Sequence, residues 1–431
     1  SILVPCWYPV MMWRSYSYSR RFQLLRRPGL ARRSAAATAA AFLLFSSHEL
    51  IASFVPTSTF QQYSQQTRGQ HSTRCHALND KDCTNEERVR VDDSIVEKLQ
   101  VYHATHHDIP LPAVSHVRLT EQDLNPSGRN ILVIGDVHAC IEELQVLHDS
   151  AMQSNGGRPF RCVILAGDLV NKGPQSAAVL TEVRQQPYWY AIRGNNDDAA
   201  IAAILSNNEA KLKKYKWDKA QQVRLTSQDI VWWSELPYTI TIPRYIFEMD
   251  ADETNSDKLV DTVIVHGGLC PDVLLEKQTI KTMVTTRNLI QIDMSPSFFA
   301  KTKEKGADRH KKEKVFIPHD KNLIPSDMSV KDLKDFLVDR RPDMMASEEL
   351  LQVIYNSSTL IPWAQEWRGP PMVIFGHDAR RGLQLHDWAI GLDTGACYGK
   401  KLTGIILPHR KLVNVPSKQQ SPKKSKIQNL S

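Results

Sequence analysis

The sequence lacks the cysteine pairs on which zinc ribbons and dithiol redox sites depend. Seven cysteines occur among its 431 residues, but no two of them have the spacing of a C-x-x-C motif. Their odd number, and the position of several inside apolar runs, also argue against a disulfide framework. We therefore exclude a zinc ribbon and a dithiol redox site, and we expect reduced, buried thiols in place of disulfides.

The sequence also lacks an apolar run that would span a bilayer comfortably. The candidate stretch, Ala35–Phe45, has about the length of the apolar region of a signal peptide and is too short for a transmembrane helix. We therefore predict no stable membrane insertion of the mature chain.

Acidic residues and lysine are almost absent from the first 79 residues. This stretch holds nine arginines, no lysine and a single acid, Glu49, so its net charge is +8. The whole chain carries +7, which leaves −1 for the remainder. The basic excess therefore belongs to the leader, and we do not interpret it as the surface patch of a nucleic-acid-binding domain.

The order of segments in residues 1–80 indicates a targeting presequence. Arginines precede the apolar stretch, Ala52-Ser53-Phe54 follows it, and a Ser/Thr/Gln-rich segment continues without acids until Asp80. This order resembles the bipartite presequence of proteins sent to complex plastids, in which a phenylalanine follows the signal-peptide cleavage site. The alternatives are secretion, a mitochondrial or cytoplasmic location, and translated upstream sequence.

Composition divides the rest of the chain into three parts. Residues 81–127 form an extension that leads into the main domain, which we place at 128–415. Inside it, a highly charged segment at about 294–345 is predicted as a surface insertion, flexible in its first half, with a short helix at Asp332–Val338. Residues 416–431 are predicted as a disordered basic tail.

Short apolar runs alternate with helical patterns along the main domain, which predicts an α/β fold built in layers. A helix is expected at Ile141–Met152. The runs that have the length of buried strands are Ile131–Ile134, Cys162–Leu165, Tyr188–Ile192, Val260–Val265, Met372–Phe375, Ala389–Leu392 and Leu402–Leu407.

Five of these strands end in a glycine beside a residue that is able to bind a metal. In chain order, the candidate ligands are Asp136, His138, Asp168, Asn195, His266 and His377. Glycine at such a position lets the backbone turn sharply and approach a bound group. Carboxylate and imidazole ligands suit divalent manganese, zinc, iron or cobalt.

Six such ligands are enough for two divalent ions if one aspartate bridges them. Two ions about 3.5–4 Å apart clamp a phosphoryl group, lower the pKa of a shared water and neutralise charge during in-line displacement. Each motif alone is a common turn, whereas five motifs in this order are specific. The sequence therefore predicts a centre of two divalent metal ions that acts on phosphoryl groups.

The motifs GDVHA, GDLVNKGP, RGNND, HGG and GHD, in that order, resemble the calcineurin-like metallophosphoesterases of the phosphoprotein-phosphatase superfamily. Within it, TTRNL (285–289), WRGPPMVIFGHDARRGLQ (367–384) and GLDTGACYGKKLTG (391–404) are similar to the ApaH-like phosphatases, eukaryotic relatives of bacterial diadenosine tetraphosphatase. The resemblance covers 127–408 apart from the insertion. It implies a four-layer α-β-β-α sandwich with a charged surface insertion.

The resemblance also implies a role for individual residues. The ligands of one metal ion would be Asp136, His138 and Asp168, and those of the other Asp168, Asn195, His266 and His377. The implied phosphate-binding residues are Lys172, Asn195, Arg287 and Tyr398. The implied catalytic residues are Asp136, His138, Asp168, Asn195 and Arg287.

Three residues depart from the family pattern. Ala139 stands where the family has glycine, which is a modest steric change beside a ligand. Asn196 replaces the histidine that protonates the leaving oxygen, and Asn171 replaces the acid that orients this histidine in protein phosphatases. Asparagine has no titratable proton, so this general acid is missing, a loss of about 10²–10⁴-fold where one is needed.

The missing acid favours substrates with a good leaving group. An alkoxide that leaves from phosphoserine needs the proton, whereas a phosphate that leaves from an anhydride, with a pKa of about 6, hardly does. We therefore predict a hydrolase of phosphoanhydrides: a nucleotide substrate such as a dinucleoside polyphosphate, an RNA 5′ cap, or polyphosphate. The alternatives are a protein serine/threonine phosphatase and a nucleotide-binding pseudoenzyme.

A further motif points to a different class of enzyme. Asp393-Thr394-Gly395 matches the triplet of aspartic proteases, which need two aspartates that share a proton. The chain contains no second D-T-G or D-S-G triplet, so we set the protease aside.

The presequence hypothesis predicts the destination of a reporter. A fluorescent protein fused behind residues 1–78 should enter the plastid of a cell that has a complex plastid, because signal and transit regions would act one after the other. Microscopy against plastid, mitochondrial and secretory markers locates the reporter. A reporter that is secreted, mitochondrial or cytoplasmic contradicts the hypothesis.

Overall fold

The computed structural model describes residues 105–106, 109–206, 209–214, 217, 225–249, 259–294, 313–319, 328–357 and 359–419. The predicted presequence and the end of the predicted tail lie outside these residues, so both assignments stay predictions. Among the residues that the structure describes, no helix is long and apolar enough to cross a membrane.

The strands and helices are numbered in chain order over the described residues. The strands are β1 (Thr105–His106), β2 (Ile109–Pro110), β3 (His116–Arg118), β4 (Ile131–Ile134), β5 (Cys162–Leu165), β6 (Trp189–Ala191), β7 (Thr239–Ile242), β8 (Thr262–Val265), β9 (Asn288–Met294), β10 (Glu313–His319), β11 (Thr359–Pro362), β12 (Met372–Phe375), β13 (Gln384–Leu385), β14 (Ala389–Gly391), β15 (Lys401–Leu407) and β16 (Lys411–Pro416). The helices are α1 (Ile141–Ser154), α2 (Ser176–Gln185), α3 (Asn195–Leu205), α4 (Glu209–Lys214), α5 (Ser227–Ser234), α6 (Arg244–Glu248), α7 (Ile280–Thr285), α8 (Val330–Val338), α9 (Glu348–Ser357) and α10 (Trp363–Glu366).

Two large sheets carry the predicted strands. The five-stranded sheet has the order β16-β15-β4-β5-β6, with β4, β5 and β6 parallel. The six-stranded sheet has the order β13-β14-β12-β8-β7-β3, with β8, β12 and β14 parallel. The predicted strands and the predicted helix agree with these bounds to within two residues at each end.

Alternation of side chains along β4 shows how the layers pack. Leu132 and Ile134 contact the cluster that includes α1, whereas Ile131 and Val133 contact the other large sheet. On that sheet, Ile264 points inward to the same inter-sheet cluster. Since successive side chains of a strand point to opposite faces, both faces of each sheet are covered.

Helices complete the outer layers. On the five-stranded sheet, Leu144, Leu147 and Ala151 of α1 are spaced along one helical face and are fully buried. On the six-stranded sheet, Met283 of α7 and Trp363 of α10 pack with apolar strand residues. The layers are therefore α-β-β-α, as the resemblance implies.

The charged insertion is more ordered than its composition indicates. β10 pairs with β9, and β11 pairs with the other edge of β9, which makes a third sheet of three strands. This sheet and the helices α8 and α9 enclose a separate apolar cluster, with Val315, Ile317, Leu333 and Ile354 buried. Residues 295–312, most of the half predicted as flexible, lie outside the described residues, so the flexibility stays a prediction. In the part that the structure describes, apolar residues that lie among charged ones in the sequence are buried, which composition alone does not indicate.

The predicted helix of the insertion is confirmed, but it starts two residues earlier, at Val330. Ser329 precedes it, and the Ser329 hydroxyl accepts a hydrogen bond from the backbone N–H of Asp332. Asp332 Oδ2 in turn accepts from the backbone N–H of Ser329 at 3.0 Å. This reciprocal cap fixes the helix start.

The structure also revises the two ends of the main domain. β3 lies in the predicted extension yet forms an edge of the six-stranded sheet. Pro416, the first residue of the predicted tail, ends β16, and the backbone N–H of Lys418 donates to Glu143 at 2.8 Å. β3 has only three residues and carries little periodic signal, whereas β16 has six residues, in which the buried Val413 and Val415 alternate with more exposed neighbours.

The apolar cluster of the insertion predicts an asymmetric response to mutation within α8. Leu333→Ala should lower the free energy of unfolding of this region by about 2–5 kcal/mol, because it opens a cavity among buried side chains. Val338→Ala is the matched control on the same helix, since Val338 is 58% exposed and Leu333 is 0% exposed. Hydrogen exchange of β9 and β10 measures the effect, and equal protection in both variants would contradict the separate cluster.

Candidate metal centre

The predicted ligands converge where strands of both large sheets end. β4, β5 and β6 are parallel in one sheet, and β8 and β12 are parallel in the other, so the strand ends of each group meet at one edge. The backbone N–H of His377 donates to Asp136 Oδ1 at 3.0 Å. This hydrogen bond joins the edge of one sheet directly to the edge of the other.

Two groups of three buried side chains are close enough for each group to hold a metal ion. One consists of Asp136, His138 and Asp168, and the other of Asp168, His266 and His377. Within each group, the ligand atoms all lie within 4.8 Å of one another. Asp168 belongs to both, since Oδ2 lies 3.3 Å from His138 Nε2 and Oδ1 lies 3.3 Å from His266 Nε2.

Asn195 is the sixth predicted ligand and the first residue of α3. Its Oδ1 lies 3.2 Å from His266 Nε2, which places an amide oxygen beside the second triad. The structure therefore brings all six predicted ligands together at one place.

The orientation of the three imidazoles tests whether this donor set suits metal ions. One nitrogen of each ring lies within hydrogen-bond distance of a backbone carbonyl. The pairs are His138 Nδ1 with Val170 O (3.1 Å), His266 Nδ1 with Ala166 O (2.9 Å) and His377 Nε2 with Thr285 O (3.1 Å). A nitrogen that donates to a carbonyl leaves the other nitrogen of a neutral ring as a ligand, which is the usual arrangement at metal sites.

The buried charges also favour cations at this place. Burial, together with Asp393 and Asp168, holds the pKa of Asp136 well above its usual range. Burial alone would lower the pKa of His266, but Asp168 and Asp136 outweigh it and raise this pKa to about 10. A proton on His266 thus supplies positive charge that a divalent ion would replace. The donor types, the distances and the charges all fit two divalent ions.

Two glycines allow the ligands to pack this closely. A Cβ at Gly376 would lie 2.0 Å from Asp136 Oδ1, and one at Gly194 would lie 2.3 Å from Asp168 Oδ1. A side chain at either position would displace the carboxylate. Close approach therefore requires glycine here, although neither glycine has a positive φ.

Ala139 adopts a left-handed backbone conformation, with φ = 63°. Glycine adopts it freely, whereas a Cβ costs about 1–2 kcal/mol. The alanine is fully buried, and its N–H donates to the Leu169 carbonyl at 2.8 Å. The backbone conformation therefore accounts for the glycine of the family, whereas nothing in the structure explains the alanine, since glycine would donate the same backbone hydrogen bond.

Lys172 and Tyr398, two of the predicted phosphate-binding residues, lie beside the first triad. Lys172 Nζ is 2.7 Å from His138 Nε2 and 5.6 Å from the centre of the Tyr398 ring. Burial alone would lower the pKa of Lys172, but several neighbouring groups, Asp168 foremost among them, together outweigh burial and raise it. The lysine is therefore a fixed positive charge at the edge of the ligand cluster.

Arg287 lies beside the second triad, with support that the motifs do not reveal. Its Nη2 donates to the His377 carbonyl at 3.0 Å, and its Nε is 3.8 Å from Asp378 Oδ1. The buried Asp378 also forms an ion pair with Arg381. Arg381 in turn donates to Asn288 Oδ1 at 2.6 Å. Asp378 thus contacts Arg287 directly, while Arg381 holds Asp378 and the neighbouring Asn288.

The motifs contain two more buried aspartates of the site, for which the sequence predicted no role in the metal centre. Asp393, which the sequence presents as a protease-like triplet, follows β14 and helps to raise the pKa of Asp136. Asp197 accepts hydrogen bonds from the backbone N–H groups of Leu169 (3.1 Å) and Gly194 (2.8 Å), so it ties two ligand loops together. The sequence did contain a signal for each: Asp393 follows a strand, and Asp197 lies in the first turn of a helix.

The sequence profile of the calcineurin-like phosphoesterases matches residues 129–381, a range that contains all six predicted metal ligands. This chain belongs to that family. Calcineurin-like phosphoesterases are metal-dependent hydrolases with a dinuclear divalent centre, and the two triads that share Asp168 are the candidate ligand groups for it.

Similar proteins include two bacterial enzymes and a solved structure. The symmetrical bis(5′-nucleosyl)-tetraphosphatase of Janthinobacterium sp. (strain Marseille) is 24% identical over 296 residues, with 68% of this chain and 98% of the relative covered. The enzyme of the same name from Coxiella burnetii (strain CbuK_Q154) is 25% identical over 303 residues, with 67% and 92% covered. A crystal structure provisionally assigned as a diadenosine tetraphosphatase has 22% identity and a TM-score of 0.45, with 70% and 98% covered.

The charge balance of the centre predicts that metal loading releases protons. In the metal-free chain His266 has a pKa of about 10, so its ring is protonated near neutral pH and has to lose a proton before it binds a metal. We expect about one proton to be released from this group per chain, and the apparent Mn²⁺ affinity to rise with pH. Titration calorimetry in buffers of different ionisation enthalpy counts the protons.

The exposed His409 supplies the control for this experiment. His409→Gln should release as many protons as the wild-type chain, whereas His266→Gln should release fewer. A proton count that is unaffected by His266→Gln would contradict the assignment of this charge to His266.

Proposed function

We propose that this protein hydrolyses phosphoanhydride bonds with two divalent metal ions, and that dinucleoside polyphosphates are its first substrate class. Capped RNA 5′ ends and polyphosphate contain the same bond and are the other candidates. The observation that carries the proposal is the environment of Asn196.

Two amides occupy the position that the family resemblance assigns to a histidine and its acid. Asn196 Nδ2 donates to Asp168 Oδ2 at 2.7 Å, and Asn171 Nδ2 donates to the Asn196 carbonyl at 2.8 Å. Neither amide has a proton that it gives up near neutral pH. Lys172, also close to the triads, has a raised pKa and so holds its proton firmly. These three residues therefore provide no general acid for a poor leaving group.

The chemistry of the leaving group turns this observation into a substrate preference. A general acid contributes about 10²–10⁴-fold when the leaving oxygen is strongly basic, as a serine alkoxide is. A phosphate that leaves from an anhydride has a pKa of about 6, so it departs without a proton near neutral pH. An active site without a general acid therefore suits anhydrides and disfavours phosphoserine.

The remaining residues have roles that agree with a chain of phosphates. The two ions, when bound, supply positive charge and lower the pKa of a water molecule. Lys172 and Arg287 add one cation beside each triad, and charge-assisted hydrogen bonds from such groups orient phosphate oxygens. Tyr398, 37% exposed beside Lys172, borders the site on its open side.

The names of the bacterial relatives support this substrate class. Both are bis(5′-nucleosyl)-tetraphosphatases, and the similarity covers 98% and 92% of their chains. A tetraphosphate chain is joined by phosphoanhydride bonds. The names therefore agree with the preference that the missing general acid implies.

We further propose that the metal pair is drawn from manganese, zinc, iron and cobalt, because imidazole and carboxylate ligands suit these ions. The presequence at 1–80 leads us to propose a plastid location for the enzyme. The reporter fusion and metal analysis of the purified chain test these two points separately.

A substrate comparison tests the proposed function. The full chain, supplied in turn with Mn²⁺, Zn²⁺ and Co²⁺, should cleave diadenosine tetraphosphate with a kcat/KM at least about 10²-fold above that for a phosphoserine peptide, because only the peptide needs a general acid. Chromatography of the released nucleotides and a phosphate assay measure the two rates. Capped RNA and polyphosphate belong in the same panel.

The rival functions give different results in this panel. Faster cleavage of the phosphopeptide would identify a protein phosphatase and contradict the proposal. A purified chain that holds no metal and cleaves none of these substrates would identify a nucleotide-binding pseudoenzyme.

A further inference from the structure

We propose that Asn196 is a positioning residue that holds Asp168 in the orientation in which this carboxylate bridges two metal ions. The proposal rests on the metal-binding part of the proposed function and is independent of the substrate. It assigns a task to the side chain that stands in place of a proton donor.

Asn196 contacts both oxygens of Asp168. Its backbone N–H donates to Oδ1 at 2.9 Å, and its side-chain Nδ2 donates to Oδ2 at 2.7 Å. A pair of donors from one residue fixes the plane of the carboxylate as well as its distance, because rotation about the Cβ–Cγ bond would break both hydrogen bonds. Asp168 is 1% exposed, so water does not compete for these contacts.

The contacts from Asn196 leave the other side of the carboxylate to the triads. Each carboxylate oxygen has two lone pairs. Asn196 occupies one on Oδ1 and one on Oδ2, while His266 Nε2 lies 3.3 Å from Oδ1 and His138 Nε2 lies 3.3 Å from Oδ2. The second lone pair of each oxygen therefore faces a histidine of one triad, where a metal ion would take the place of that contact. This is the arrangement that a bridging ligand needs.

Further hydrogen bonds hold Asn196 itself in place. Asn171 Nδ2 donates to the Asn196 carbonyl at 2.8 Å, and Trp217 Nε1 donates to Asn171 Oδ1 at 3.0 Å. Asn171 and Trp217 are each 2% exposed. These hydrogen bonds link Trp217 to Asn171, Asn171 to the backbone carbonyl of Asn196, and Asn196 to Asp168. Asn171 thus holds the carbonyl of the same residue whose backbone N–H and side chain donate to the carboxylate.

The backbone of Asp168 does not fix the plane of its carboxylate. Asp168 has φ = 51°, a left-handed conformation that sets the direction of its Cβ, and a Cβ added at Gly194 would lie 2.3 Å from its Oδ1. Rotation about the Cβ–Cγ bond still turns both oxygens. The contacts from Asn196 hold the plane before any ion binds.

Metal affinity tests the proposal more directly than activity does. Asn196→Ala removes the side-chain donor and keeps the backbone donor, so the full chain should bind Mn²⁺ about 10–100-fold more weakly, as is usual when a hydrogen-bond partner of a metal ligand is lost. Asn171→Ala, which removes only the support of the Asn196 peptide, should weaken binding in the same direction by less. Competition with a chelator and titration calorimetry give the affinities and the number of ions bound.

Asn414→Ala is the matched control, because Asn414 is an exposed asparagine on β16 away from the site. It should bind Mn²⁺ as the wild-type chain does. Wild-type affinity in Asn196→Ala would overturn the proposal, even if the melting temperature of the metal-free variant had fallen. If Asn196→Ala does not fold, Asn171→Ala decides in its place, and wild-type affinity there would overturn the proposal.

The same experiment separates this proposal from the metal centre itself. A wild-type chain that binds no Mn²⁺, Zn²⁺ or Co²⁺ would contradict the proposed function and remove the basis of the inference. Metal binding by the wild-type chain with equal binding by Asn196→Ala would leave the proposed function intact and overturn only the role of Asn196.

Discussion

The Asp168 carboxylate has an imidazole near each of its oxygens, and the site depends on this shared contact. His138 and His266 each lie 3.3 Å from one oxygen, although they follow strands of different sheets. Because one carboxylate serves both triads, a small rotation of its plane would alter both at once. The two hydrogen bonds from Asn196, one to each oxygen, hold this plane.

The insertion contacts the metal centre through Arg287. Arg287 immediately precedes β9, and its backbone N–H donates to the carbonyl of His319, the last residue of β10. Its side chain contacts Asp378 and the His377 carbonyl, and Arg381 holds Asp378. Arg287, which we propose as a phosphate-binding residue, is therefore positioned jointly by the four-layer sandwich and by the three-stranded sheet.

The order of the motifs allowed most of the candidate site to be predicted. The high content of charged residues in the insertion made its buried strand and apolar cluster hard to predict. The six ligand side chains are close together as predicted, because strand-end motifs repeat one physical arrangement. β3 was missed because three residues leave little periodicity, and β16 was missed although its buried Val413 and Val415 alternate with more exposed residues. In the insertion, Val315 and Ile317 are buried although lysines and acids surround them in sequence, so composition was a poor guide there. Asp393 stood out in the sequence only as part of a protease-like triplet, because its proximity to Asp136 arises on folding.

The sequence by itself determined the residue types, their order along the chain and the absence of a histidine at position 196. These are local properties, and together they were enough for the family, the four-layer fold and a centre of two metal ions. Only the tertiary structure decided which atoms meet. Asn196 and Asp168 are 28 residues apart, and Arg287 and His377 are 90 apart, so their contacts follow from strand pairing and layer packing. Hydrogen bonds of this kind depend on distance and angle, which no spacing in the sequence specifies.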